Sequence, residues 1–154
     1  MKAIDYLKEI KRIDDSINAD IEELAMLEAL AMKTTAVMGG ERVQSSGSQQ
    51  KMADCVVKIS DTKSKISDEI EQLLALKREA RDLICLVQNS ACRLLLHKRY
   101  FSFKTWEQIA VEMNYTYKWV SGGLHGMALS QFQKVLDKME NREKDGTEKE
   151  KDKM

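Results

Sequence analysis

Between Met52 and Val87 the apolar positions fall at Met52, Val56, Ile59, Lys63, Ile66, Ile70, Leu73, Lys77, Ala80, Ile84 and Val87, alternating four and three apart without error. A repeat averaging 3.5 residues over five heptads is the seam of a helix that lies along another helix, and no strand accommodates it. Two lysines, Lys63 and Lys77, interrupt the seam at equivalent heptad positions. A buried ammonium is unfavourable, so the spacing predicts that they snorkel outward or pair with acids of a neighbouring helix such as Asp14, Asp15, Glu22 or Glu23, fixing register or oligomer state. The alternative is a seam partly open to solvent.

The partner helix is legible upstream. Ile4, Leu7, Ile10, Ile13, Ile17, Ile21, Leu24, Leu27 and Ala31 recur three or four apart, one stripe of a helix on the order of 45 Å long. Between the two periodic stretches, residues 34–50 hold Gly39, Gly40, Gly47 and a Ser/Gln cluster, which reads as a loop. Two long amphipathic helices around a loop predict an antiparallel hairpin over residues 1–88. Such a hairpin leaves Leu74, Leu76 and Leu83 poorly covered, and homo-oligomerisation, as a dimer or higher, is therefore expected. The chain has no proline, 32% charged residues and 6% aromatics, a composition suited to uninterrupted helices.

Downstream the pattern changes to short helices. A support helix is expected from Ser90 to Tyr100, carrying Leu94, Leu95 and Leu96. Thr105 can cap a following helix that buries Trp106, Ile109, Ala110 and Met113, with Glu107 and Gln108 in its first turn. Asn114 tolerates the left-handed backbone that ends a helix, and Thr116 can cap another carrying Val120, Leu124, Ala128 and Leu129. Two short helices around a tight turn, with small Ala110 allowing close crossing, predict a helix-turn-helix module over residues 89–139. Glu140 onward is charged with almost no apolar residues, which reads as a disordered tail over 140–154. The expected fold is thus all-α, a long coiled-coil hairpin followed by a C-terminal helix-turn-helix.

Residues 105–129 resemble region 4 of the main bacterial sigma factors, through Thr105, Glu107, Ile109, Ala110, Thr116, Val120, Ala128 and Leu129. The closing Ala-Leu stands one residue later than in that family, and Gly122-Gly123 occupies the middle of the helix expected to read DNA. A second resemblance rests on the run RVQSSGSQQKMA at 42–53, the N-terminal pattern of residues 1–10 and Leu124-His125-Gly126. Together these are similar to small proteins encoded in phages and prophages of Gram-positive bacteria, akin to late-transcription regulators of the ArpU kind. The resemblance implies a DNA-binding transcription regulator acting on double-stranded DNA beside host RNA polymerase, with no reaction chemistry.

For DNA contact the candidates are Tyr117 and Lys118 in the first turn after the Thr116 cap, with Ser121 one turn on. By resemblance to the sigma module, Thr105 and Gln108 would face a phosphate. Arg99 and Lys104 are the cationic clamps expected on the backbone. Trp119 reads more readily as a core residue than as a stacking platform, and Tyr117 fits either role. Charge distribution agrees: residues 1–32 hold four Lys/Arg against eight Asp/Glu, whereas residues 85–138 hold seven against three.

Other chemistry finds little purchase. Cys55, Cys85 and Cys92 form no CxxC or Cys/His cluster, which argues against a disulfide frame and a metal site, and Cys85 and Cys92 are expected on or beside a buried stripe. His97 and His125 are isolated, there is no Gly-rich phosphate loop, and neither a catalytic group nor a cofactor is expected. No apolar run approaches the roughly 20 residues that span a bilayer, so a cytoplasmic protein with no membrane partner is expected. Two other functions fit the same elements: a DNA-packaging recognition subunit like small terminases, and a coiled-coil adaptor that binds protein alone.

Overall fold

The computed structural model describes the backbone of residues 1–38 and 46–151, and their side chains except 34, 35, 37, 38, 46, 48 and 147–151. Every regular element among them is helical: α1 (Ala3–Met38), α2 (Ser46–Cys85), α3 (Ser90–Tyr100), α4 (Trp106–Met113), a π-helical turn (Trp119–Leu124) and α5 (His125–Lys151). No described helix is long and apolar enough to cross a membrane.

The chain divides into two compact units, Met1–Arg12 with Ala75–Met154, and Ile13–Leu74. That division differs from boundaries at 88 and 139, because the start of α1 and the last turns of α2 cluster with the short helices. In the first unit Ala3, Leu7 and Ile10 from α1, Ala80, Leu83 and Ile84 from the end of α2, and Val87 just after it are buried. They share that unit with Cys92, Leu95 and Leu96 of α3, Ile109 and Ala110 of α4, Val120, Leu124, and Ala128 and Phe132 of α5, also buried. Leu83, expected to be poorly covered, is thus in the core. The N-terminus is fixed by polar contacts that periodicity does not reveal. The Ala3 amide donates to Gln133 Oε1 at 2.7 Å, Gln133 Nε2 donates to the Met1 carbonyl at 3.1 Å, and the Tyr6 ring lies 5.8 Å from that of Phe132.

In the second unit α1 and α2 pair through Ile13, Ile17, Cys55, Ile66 and Leu73. Here the buried row of α2 is not the expected seam. Val56 and Ile70 are 54% and 41% exposed, while Cys55 is buried and Thr62 and Glu69 are half-buried. The four-three spacing is kept, displaced by one position along part of the row. Polar pairs set that choice: Ser16 Oγ donates to Glu69 Oε1 at 3.0 Å, and Lys65 Nζ lies 2.9 Å from the carboxylate of Asp20, itself only 8% exposed. Asp20 takes the place in the α1 stripe expected for Ile21, which is exposed. Lys63 turns outward to Glu28 at 3.4 Å, not to Asp14, Asp15, Glu22 or Glu23. Lys77, in the first unit, leaves the seam and places Nζ 5.0 Å from the ring centre of Phe103.

Two further expectations are corrected. The break at 34–50 is shorter, since α1 continues to Met38 and α2 begins at Ser46; once a long helix exists, adding a residue costs little, and Gly47 does not end it. Residues 39–45, which include the Arg42 end of the RVQSSGS run, lie outside the described residues. The charged end forms the last turns of α5 as far as Lys151, with residues 140–146 exposed, because Glu, Lys and Arg are good helix formers and no proline intervenes. Residues 152–154 lie outside the described residues. Cys85 is exposed, next to buried Ile84, whereas Cys92 is buried.

Candidate nucleic-acid interface

Local capping chemistry builds this surface. The Asn89 side chain accepts from the amides of Ala91 and Cys92 and starts α3, whose last turn carries His97, Lys98 and Arg99. Leu95 and Leu96 are fully buried, but Leu94 faces solvent. Thr105 and Gln108 form a reciprocal capping box: Thr105 Oγ1 accepts from the Gln108 amide at 3.3 Å, and Gln108 Oε1 accepts from the Thr105 amide at 3.0 Å. α4 ends at Asn114, whose φ of 56° and ψ of 39° are left-handed. The Asn side chain is among the few that tolerate this conformation, and the Tyr115 amide closes the turn on the Ala110 carbonyl at 3.0 Å. Thr116 Oγ1 then accepts from the Trp119 amide at 3.2 Å.

The helix that Thr116 caps does not proceed as a uniform α-helix. After Tyr117 and Lys118 it widens into the π-helical turn, then resumes as α5 at His125. A π-turn takes up an extra residue, so Val120, Leu124, Ala128 and Phe132 all reach the core despite the glycine pair. The two glycines differ in surroundings. A Cβ on Gly122 would meet nothing within 4 Å, whereas one on Gly123 would fall 2.3 and 2.4 Å from Cζ3 and Cε3 of Trp119. The indole therefore lies directly on the Gly123 backbone. Trp119 is 42% exposed, not a core residue; the expectation failed because a glycine four residues on gives a large ring a seat on the surface.

The expected DNA-contact residues fall into two groups. Thr105, Gln108, Thr116, Tyr117 and Lys118 are exposed, and Lys118 has no ion pair among the described residues. The remainder are occupied within the fold. Arg99 stacks its guanidinium 4.4 Å from the Trp106 ring centre and donates to the Lys104 carbonyl at 2.9 Å. Lys104 is bound by Glu112, which also binds Lys98, so one carboxylate engages both ammonium groups; hydrogen bonds from Lys104 and then Lys98 hold the Glu112 carboxyl below its ordinary range. Ser121 Oγ donates to the Tyr117 carbonyl at 2.9 Å.

Beneath this surface Trp106, His125 and Tyr100 lock α3, α4 and the start of α5 together. His125 Nε2 lies 2.8 Å from the Tyr100 hydroxyl, and its ring meets Trp106 edge-on at 4.7 Å. Burial, with the positive charges of Arg99 and Lys8, holds the His125 imidazole below its usual value and so neutral. Burial also pushes the Tyr100 phenol up to about 12, which keeps it a hydrogen-bonding hydroxyl. No family model matches the chain, and neither does any curated protein or solved structure.

Proposed function

We propose that the protein is a DNA-binding transcription regulator of the phage type, whose C-terminal helices work as a helix-turn-helix resembling sigma factor region 4. The single observation that carries this reading is the helix start at Thr116. It follows a tight turn opened by left-handed Asn114 and presents to solvent Tyr117 and Lys118, which has no ion pair among the described residues, at an N-terminus whose free amides favour anions. The displaced Ala128-Leu129 fits as well, since the π-turn absorbs the additional residue relative to the sigma pattern.

In this reading α1 and α2 form the antiparallel hairpin. The pairs Ser16 with Glu69 and Asp20 with Lys65 have the same residue-number sum, as antiparallel helices in fixed register require. Exposed Val56, Ile70 and Leu74 on α2 support self-association. Lys98, Arg99 and Lys104 are engaged within the fold, so one module offers few phosphate contacts; double-stranded DNA is bound weakly by a monomer and usefully by a dimer or higher homo-oligomer, beside host RNA polymerase.

Sequencing the DNA that co-purifies with the protein from its host tests the proposal. Promoter-proximal fragments support it, packaging-site fragments reassign the module to genome packaging, and an absence of enriched DNA points to a protein adaptor.

A further inference from the structure

The glycine pair is the least expected element of the DNA-facing helix, and the two residues have separate work there. Gly123 has room for no side chain, because the Trp119 indole occupies the space its Cβ would take. Gly122 has open space around it and is exposed. Lys118, four residues before Gly122, shares its face of the helix, and Val120 and Leu124 lie buried on the other. The outer surface of this helix is therefore a strip of bare backbone at Gly122, bounded by a cation without an acidic partner among the described residues and by an aromatic ring fixed from below.

Each part of that strip is costly without a partner. A tryptophan held 42% exposed keeps a large apolar surface in water, and two adjacent glycines give up about 1 kcal/mol each of helix preference relative to alanine. Bare backbone at a glycine permits an approach that any side chain would prevent, and a π-turn departs from the α-helical ladder that the sequence elsewhere sustains. The exposed ammonium of Lys118 beside it sets the sign of the ligand: anionic.

We propose that Lys118, Gly122 and Trp119 together form the surface that meets double-stranded DNA. Gly122 is the point of closest approach, Lys118 binds a phosphate or base edge, and Trp119, seated on Gly123, contacts sugar and thymine methyl groups. The inference rests on the DNA-binding reading above and adds two contact residues to it.

Fluorescence anisotropy with a labelled pool of random-sequence short duplexes at low salt tests the strip, together with thermal melting of each variant. Gly122→Leu is the decisive substitution, because leucine is a good helix former with open space to occupy; it is expected to keep or raise the melting temperature while weakening binding about tenfold or more. Trp119→Ala is expected to weaken binding similarly, and duplex addition to quench Trp119 emission in the unmodified protein but not in Trp119→Phe. Binding by Gly122→Leu and Trp119→Ala equal to that of the unmodified protein would overturn the strip and leave the DNA-binding reading standing. Failure of the unmodified protein to bind duplex at any salt would overturn both.

Discussion

Replacing each glycine of the π-turn by alanine should have different effects on stability. Neither residue has a positive φ, so alanine meets no backbone strain at either position. Alanine gains about 1 kcal/mol of helix preference over glycine, partly by restricting the unfolded chain. At Gly122 the new methyl meets nothing within 4 Å, so that gain is kept, and for a chain of this length it corresponds to a rise of about 2–4 °C in Tm. At Gly123 the methyl would stand 2.3 Å from an indole carbon, far inside van der Waals contact, and the ring must leave its seat. The atoms that must move belong to the ring of a half-exposed side chain, so losing its seat costs about as much as the helix gain, on the order of 1 kcal/mol, and predicts an unchanged or lowered Tm. The indole is displaced, so its emission should shift as its surroundings become wetter. A cycle with Trp119→Ala isolates the cause: in that background Gly123→Ala should become as stabilising as Gly122→Ala, with a coupling of about 1 kcal/mol. Calorimetry on the four proteins measures it. Equal Tm increases for both single variants, or zero coupling with Trp119, would refute the seating of the ring on Gly123.

Phe132→Ala removes a fully buried ring from the core of the first unit and should cost about 3–5 kcal/mol in denaturant titration. Arg99→Ala should lower Tm by a degree or more through loss of the Trp106 stack and the Lys104 carbonyl bond, while leaving duplex affinity nearly unchanged, contrary to a backbone clamp. Lys118→Ala should weaken duplex binding, change sequence preference and reduce its salt dependence, readable in titrations at several salt concentrations. The imidazole of His125 is held below its ordinary value of about 6.5, so its contribution to stability is full above that pH and declines as pH falls below it, where the unfolded chain takes up the proton first. His125→Gln should flatten that decline in Tm measured between neutral and mildly acidic pH.

Features that rest on short-range chemistry are legible in the residues alone. The limits of α3, the Thr105 cap, the left-handed Asn114 and the Thr116 cap are each decided by a side chain and the two or three amides beside it, so the residue types suffice to read them. The all-helical class follows equally from the 3.5-residue spacing and the absence of proline. Tertiary structure alone decided which row of α2 faces α1. Neighbouring rows of a heptad pattern have nearly the same periodicity, and the choice between them depends on contacts across the interface: Ser16 meets Glu69, where Ile70 was expected, and the Leu27 carbonyl meets Cys55, where Val56 was expected. It also decided the docking of Ala3 onto Gln133, a pairing across 130 positions that no local pattern records. Arg99 and Lys104 looked available as free cations because sequence gives charge but not partners; the fold spends one on Trp106 and the other on Glu112. The glycine pair was visible as an anomaly, but its separate meanings at Gly122 and Gly123 depend on where a single indole ring comes to rest.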